Sequence, residues 1–316
     1  MTRSVMRLFS VSLMVVVTGL GHAQDYPSKA IRILTSEVGG GTDILARLIA
    51  QGISGPLGQP VIVENRGSRL IGELGAKSPP DGYTILAASS TVLVAPLLEK
   101  TTYDALRDFV PVTLATRSPL VLIVHPSLPV KSVKEFIALA KARPGALNYG
   151  TGGTGSSAHL GAELFNSMAG IKSERINYKG NAPAINDVAA GHVQWMIAAP
   201  SAVIPHLQSG RLKVLAVTTA EPTKLFPGTP TVASFLPGYE VAARAGILAP
   251  ARTPMPIVNR LGQEIVRVLS QPEVKERLFT LGVESAGNSP AEYSAMIKGE
   301  IEKIGKIIKE AGIKIE

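Results

Sequence analysis

Along the chain, short apolar runs of strand length alternate with segments whose apolar residues recur at three- and four-residue spacing. Ile31, Arg32, Ile33 and Leu34 predict a buried strand, Gly39, Gly40 and Gly41 a turn, and Ile44, Leu45, Leu48, Ile49 and Ile53 one face of a helix. The unit recurs. Strands are expected at 60–63, 83–87, 112–116 and 120–124, followed by a capped helix at 132–142, a strand at 147–149, a glycine-rich turn and a helix at 156–168. Further strands fall at 175–178, 193–197, 214–218 and 242–248, with helices at 182–190, 256–269, 273–281 and 291–311. Strands alternating with helices imply α/β layers.

The pattern restarts around His125, Pro126 and Ser127, and the 242–248 strand reads as a return to the first unit. This gives two lobes, 24–124 with 240–316 and 125–239, joined by two crossovers, with the Pro- and Gly-rich stretch 221–238 wrapping the surface. A chain of 316 residues, 45% hydrophobic, suits two such domains. Segment 1–23 carries Arg3 and Arg7, an apolar run at 8–20 and then Gly21, His22 and Ala23, the pattern of a signal peptide cleaved after Ala23. The apolar run is shorter than the roughly 20 residues that span a bilayer. Export to the periplasm is therefore expected, and with no cysteine there is neither a lipidated anchor nor a disulfide. Losing Arg3 and Arg7 takes the net charge from +8 to +6, which favours anionic ligands, and export removes nucleic acid as a partner.

Three loops lead into helix N-termini: 39–43, 150–157 and 178–183. Unpaired backbone N–H groups and the positive end of the helix dipole make each a candidate carboxylate site, with the hydroxyls of Thr42, Thr154, Ser156 and Ser157 as further donors. Those residue types are also ordinary helix caps. Gly150, Gly152 and Gly155 match the dinucleotide fingerprint, but the acidic residue that should follow the next strand is missing, since Glu174 precedes it. No Gly-x-Ser-x-Gly elbow occurs, and Ser156, Ser157 and His159 are close only in sequence. His125, His159, His192 and His206 are too widely spaced for a metal site, so neither metal nor cofactor is expected. The stripe Ile301, Ile304, Ile307 and Ile308 reads as packing on the parent lobe.

Several stretches are familiar in order: Tyr26-Pro27-Ser28-Lys29, Gly39-Gly40-Gly41-Thr42-Asp43, Leu57-Gly58-Gln59-Pro60 with Glu64-Asn65-Arg66, Asp81-Gly82-Tyr83-Thr84, and Tyr178-Lys179-Gly180 with Ala182-Pro183-Ala184. Pro205-His206, Ser209-Gly210-Arg211-Leu212, Leu215-Ala216-Val217-Thr218 and Leu248-Ala249-Pro250 continue the series. From Tyr26 onward the chain resembles the Bug family, the receptors of tripartite tricarboxylate transporters. The resemblance implies a type II periplasmic-binding fold, two doubly wound α/β lobes that close on a small carboxylate. It also implies delivery to a two-component membrane permease, a monomeric receptor and no catalytic step. A ligand sensor or, more remotely, an exported hydrolase are the alternative readings.

Carried over by residue, the first-lobe grip falls on Gly39, Gly40, Gly41, Thr42 and Asp43 through the loop backbone, with Ser36 and Glu37 as this sequence's own candidates beside it. The second-lobe grip falls on Thr151, Gly152, Gly153, Thr154, Ser156 and Ser157, with Tyr178, Lys179, Gly180 and Ala198 as further candidates in the cleft and His159 read either as a contact or as packing on its helix. Three departures bear on specificity. Ser36-Glu37-Val38 replaces a Pro-Phe-rich run, the 67–72 stretch is short and carries Arg69, and Arg244 stands where an aromatic residue is common. A guanidinium there reads either as a solvated charge at the hinge or as a group that binds a distal carboxylate or stacks on a ring.

Overall fold

The computed structural model describes residues 26–36 and 38–311, without the side chains of Ser68, Arg69, Glu310 and Ala311. The expected 1–23 leader lies outside them. The strands are β1 (Ile31–Thr35), β2 (Val61–Asn65), β3 (Thr84–Ser89), β4 (Phe109–Pro119), β5 (Val121–Val124), β6 (Asn148–Thr151), β7 (Glu174–Asn177), β8 (Trp195–Ala198), β9 (Lys213–Val217), β10 (Ala242–Pro250) and β11 (Glu284–Ser285). The helices are α1 (Gly41–Leu57), α2 (Ser68–Ala76), α3 (Ser90–Leu98), α4 (Val133–Ala142), α5 (Ser157–Ala169), α6 (Asn181–Ala190), α7 (Pro200–Gln208), α8 (Met255–Leu269), α9 (Pro272–Thr280) and α10 (Pro290–Ala311).

Two sheets form, in the orders β11-β4-β10-β3-β1-β2 and β7-β6-β8-β5-β9. Side-chain alternation divides the first sheet into two faces. Ile31, Ile33, Ile85 and Ile247 pack beneath Leu45, Ile49 and Ile53 of α1 and Leu261 and Ile265 of α8. Leu34, Leu86 and Leu248 face Val92 and Leu93 of α3 and Tyr293 and Ile297 of α10. The second sheet is covered on one side around Trp195, Phe136, Phe165 and Tyr149 and on the other around Ile185, Val188 and Val203. At Ser132 the expected cap is present, the hydroxyl accepting the Glu135 N–H at 3.2 Å.

Register places one end of both sheets at the crossovers. In the first sheet Ala242, where β10 begins, lies opposite Pro119, where β4 ends, and Ala245 lies opposite Ser89, the last residue of β3. Because β1 and β2 run parallel to β3, all three carboxyl ends share that edge. In the second sheet Val121, where β5 begins, lies opposite Ala198 and Val217, the last residues of β8 and β9, and β6 and β7 run parallel to β8. Every loop leaving β1, β3, β6, β7 and β8 therefore opens on the seam between the lobes.

The two crossovers meet on one residue. Thr218, fully buried, accepts the Leu120 N–H at 3.0 Å and donates to the Val241 carbonyl at 2.7 Å through Oγ1. Its own N–H donates to the Leu120 carbonyl and its carbonyl accepts from Val241 N–H, both at 2.9 Å.

The α10 stripe departs from expectation. Ile301 packs with the first lobe, Ile304 meets Val94 of α3 and Leu160 of α5, and Ile307 enters the second-lobe core. At about 1.5 Å per residue, a helix of 22 residues outruns the lobe on which it starts.

Candidate ligand-binding site

The loop after β1 is braced from within. Asp43 Oδ2 accepts the Gly39 N–H at 2.9 Å and Arg47 Nε at 3.1 Å, while Oδ1 accepts Asn65 Nδ2 at 2.8 Å and lies 3.0 Å from Arg47 Nη2. Asn65 Nδ2 also reaches the Ser36 carbonyl at 2.7 Å, and the Ser36 and Thr42 hydroxyls bond each other. Burial alone would raise the Asp43 pKa. The hydrogen bonds from Arg47, Gly39 and Asn65 outweigh it and hold the carboxyl below its ordinary 3.8.

Asp43 is thus an ionised brace with both oxygens occupied, and what the loop offers a ligand is backbone. Gly40, the residue before α1, makes no side-chain cap, so the first N–H groups of that helix are left for an external acceptor. Thr35, one residue ahead of the loop, is fully buried and its Oγ1 has no hydrogen-bond partner among the described residues. Glu37 and the side chain of Arg69 lie outside the described residues. Arg69 itself sits in the first turn of α2 rather than in a loop.

The loop after β6 is braced through His159, which is fully buried beneath it. Its Nδ1 accepts the Gly155 N–H at 3.0 Å, and its Nε2 lies 2.8 Å from Arg175 Nη1 and 3.6 Å from Glu163 Oε1. Arg175 Nη2 donates to Thr154 Oγ1 at 3.2 Å, and Tyr149 hydrogen-bonds to Glu163. Burial would raise the Glu163 pKa, but the bonds from His159 and Tyr149 bring it below the usual value. Ser156 Oγ accepts the His159 N–H at 3.2 Å and donates to the Gly153 carbonyl at 2.9 Å, so it is a cap. With Ser156 and His159 each committed to this scaffold, they do not form a nucleophile and base pair.

Gly152 is required by contact. A Cβ there would lie 2.5 Å from the Asn181 backbone nitrogen and 2.5 Å from the Gly180 carbonyl carbon. The close approach lets the Gly180 N–H donate to the Gly152 carbonyl at 3.1 Å and the Tyr178 N–H to Thr151 at 2.9 Å, tying the second and third loops together. Tyr178 donates to Asp187 Oδ2 at 2.7 Å, and burial together with that carboxylate pushes its phenol up to about 12. Lys179 is exposed. Thr151 and Ala198 turn their side chains into the second lobe, 1% and 0% exposed.

The lobes touch where a Cβ on Gly155 would lie 2.4 Å from Leu98 Cδ1 of α3. Arg244 pairs with Glu240 at 3.3 Å and Glu300 at 3.6 Å, against α10, and lines one cavity with Ser157. Arg47, Asn65 and Arg175, which hold the loops in shape, were not among the residues expected at the site. Only Arg47 carries a local signal, its i,i+4 spacing from Asp43. Among the described residues no cluster of three or more His, Cys, Asp or Glu could hold a metal ion.

Residues 45–313 match the tripartite tricarboxylate transporter family receptor, TctC. The chain is 34% identical over 302 residues to BugT of Bordetella pertussis, covering 93% of each chain. Among solved structures, R. palustris Rpa4515 with adipate is 36% identical with a TM-score of 0.79, over 92% of this chain and 99% of that one. MatC from Rhodopseudomonas palustris with bound malate is 28% identical with a TM-score of 0.75, over 90% of this chain and all of the other (100%). The two-lobe periplasmic-binding fold expected from the sequence is thereby established.

Proposed function

Since the chain belongs to the receptor family of tripartite tricarboxylate transporters, whose members bind solutes rather than transform them, we propose that it captures a small dicarboxylate at the seam between its lobes and presents it to a two-component permease. One arrangement carries the reading. The strand ends of both sheets converge on the crossovers, and α1, α3 and α6 begin there without side-chain caps. Each lobe thus offers backbone N–H groups and a helix dipole to an anion, and a ligand with a carboxylate at each end engages both halves at once. Adipate and malate on the two R. palustris relatives support a diacid.

In this reading the first-lobe contacts are the N–H groups of 40–43, with Thr35 and Thr42 nearby, and the second-lobe contacts are those of 153–157 and 180–181. His159 and Asp43 act through the loops they brace. A ligand touching both lobes favours the closed form through that difference in contacts. The family is one of periplasmic receptors, and no helix among the described residues is long and apolar enough to cross a membrane. Export by the 1–23 leader is part of the proposal.

The test is a thermal-shift panel of adipate, malate, a monoacid and an acidic amino acid, followed by calorimetry and small-angle scattering. A ligand at 100 times its Kd stabilises by about 2.7 kcal/mol. The expected result is stabilisation by a diacid, compaction on binding and weaker binding in Asn65→Ala. Absence of stabilisation by any diacid, or binding indifferent to Asn65→Ala, would count against the proposal.

A further inference from the structure

The net charge is unevenly placed. Residues 125–239 carry ten Lys and Arg against five Asp and Glu, whereas 24–124 with 240–316 carry twenty against nineteen. Five of the six excess charges of the chain beyond Ala23 therefore sit on the second lobe. Pairing is uneven in the same sense. Among the described residues, every Lys or Arg within 4.0 Å of a carboxylate oxygen belongs to the first lobe, from Lys29 with Asp81 to Arg267 with Glu264.

Most of the second-lobe cations gather at one pole. At the edge of the second sheet away from the seam, β5 ends and β8 and β9 begin, Val124 lying opposite Trp195 and Lys213, and β6 and β7 begin there too, Asn148 beside Glu174. The connections at this edge are tied to one another. Gly145 N–H donates to the Lys172 carbonyl at 3.0 Å, and Lys213 Nζ to the Pro126 carbonyl at 3.1 Å. Lys131, Lys134, Lys141, Arg143, Lys172 and Arg211 stand exposed around it. Helix α4, which joins two of these strand ends, buries Val133, Phe136 and Ala140, while Lys134 and Lys141, two turns apart, share its outer face. Against these seven cations the pole holds Glu135, Glu174 and Asp187, and Asp187 already accepts the Tyr178 hydroxyl at 2.7 Å.

We propose that this pole docks the protein on an anionic lipid surface, with the cations against the headgroups and the seam turned away from them. The charges are spread over four connections and one helix face, so they present an extended field, which a continuous layer of negative headgroups complements along its whole breadth. Receptors of this family act in the periplasm, beside a membrane. Each Lys or Arg held near such a surface favours the bound state about fivefold, and the attraction decays over about 8 Å at 0.15 M ionic strength. Docking by the pole leaves the loops after β1, β6 and β7 open to solvent, since these lie at the other end of the strands. Surface attachment and ligand capture are thus independent, and the inference does not rest on what the seam binds.

The test sediments the chain from Gln24 onward with vesicles of equal parts phosphatidylglycerol and phosphatidylcholine, and with pure phosphatidylcholine vesicles as the neutral control. Binding is expected on the anionic vesicles at low salt, with loss at about 0.3 M salt, and none on the neutral ones. Combining Lys134→Glu, Lys141→Glu and Arg143→Glu should weaken it at least about tenfold. Combining Lys77→Glu, Lys100→Glu and Lys275→Glu, all exposed on the first lobe, changes the net charge equally and should weaken it less than about threefold. Circular dichroism checks that both variants fold, and diacid calorimetry should be unchanged in each, so failure of the pole and failure of the seam reading are separable. Equal binding to neutral vesicles, equal weakening by the two triple variants, or no binding to anionic vesicles at low salt would overturn the proposal. Retention on immobilised polyglutamate without vesicle binding would overturn it in favour of an acidic protein partner.

Discussion

Thr218→Val removes one hydroxyl from the point where the two crossovers join and changes almost nothing else. Valine has nearly the same shape, so no cavity term arises. Two buried groups lose their partner, the Leu120 N–H that Oγ1 accepts at 3.0 Å and the Val241 carbonyl to which it donates at 2.7 Å. A buried polar group left unsatisfied costs about 1–3 kcal/mol, and with some relaxation the pair should destabilise the protein by roughly 2–4 kcal/mol. Urea unfolding followed by Trp195 fluorescence, which reports the second lobe, and by far-UV circular dichroism, which reports both, measures the loss. The chain has one tryptophan, so the fluorescence signal is unambiguous. Thr218→Ser is the control: it keeps both bonds and gives up only a methyl group, about 1 kcal/mol. Serine should therefore be the more stable variant. If valine proves equal to wild type within about 0.5 kcal/mol, or more stable than serine, the hydroxyl does not hold the crossovers together.

Three further substitutions probe the loops. Asp43→Asn should destabilise by about 2 kcal/mol at pH 7, the scale of hydrogen bonds to a charged group. Because the folded Asp43 pKa lies below 3.8, that contribution is complete above this value and disappears as pH falls through the folded pKa, so urea midpoints of wild type and variant should converge as the pH is lowered below 3.8. Gly152→Ala forces a Cβ to within 2.5 Å of the Asn181 nitrogen and should separate the second and third loops, visible as a lowered melting temperature and loss of diacid binding in calorimetry. Thr35→Val replaces an unpartnered buried hydroxyl, so the ligand-free protein should be as stable or up to about 1–2 kcal/mol more stable, while diacid affinity falls.

Periodicity made most of the layer plan legible. The apolar runs at 31–34 and 83–87 and the helical face of Ile44, Leu45, Leu48, Ile49 and Ile53 are where the strands and α1 stand, because each buries one surface of the sheet. Helices α2, α3 and α7 were not expected. Pro96 and Pro205 sit inside two of them, and α3 is apolar nearly all round, so no stripe marks it. The first and second loops stand where the sequence placed them, but the side chains that brace them were not legible. Asp43 and His159 stood among the candidate contacts, the first through loop backbone and the second with packing on its helix as the other reading, and both side chains are buried beneath their loops. Their partners Asn65 and Arg175 come from other strands, 22 and 16 residues away, and no local spacing announces such contacts. Arg244 was read either as a ligand contact or as a solvated charge at the hinge, and its side chain joins an ion-pair cluster against α10.

These braces bear on how recognition can work. Asn65, Arg47 and Asp43 lock the first loop within the first lobe, and Arg175, Thr154 and His159 lock the second loop within the other. Contact between the lobes is largely of another kind: Leu98 lies against Gly155, and Val94, Leu160 and Ile304 pack as apolar side chains, while Thr223 Oγ1 donating to Glu284 Oε1 at 2.7 Å is a directional bond across them. Directional bonds hold each half rigid, and the largely apolar contacts between the halves let one slide against the other once the Thr223–Glu284 bond yields. A ligand at the seam therefore meets two preformed sets of N–H donors whose separation is the soft coordinate. Diacids of different length should then be accommodated by the angle between the lobes rather than by rearrangement of either loop. Scattering profiles of complexes with four- and six-carbon diacids test this, since a difference in compaction with unchanged loop amide shifts is expected. Loop shifts that track ligand length at constant compaction would refute it.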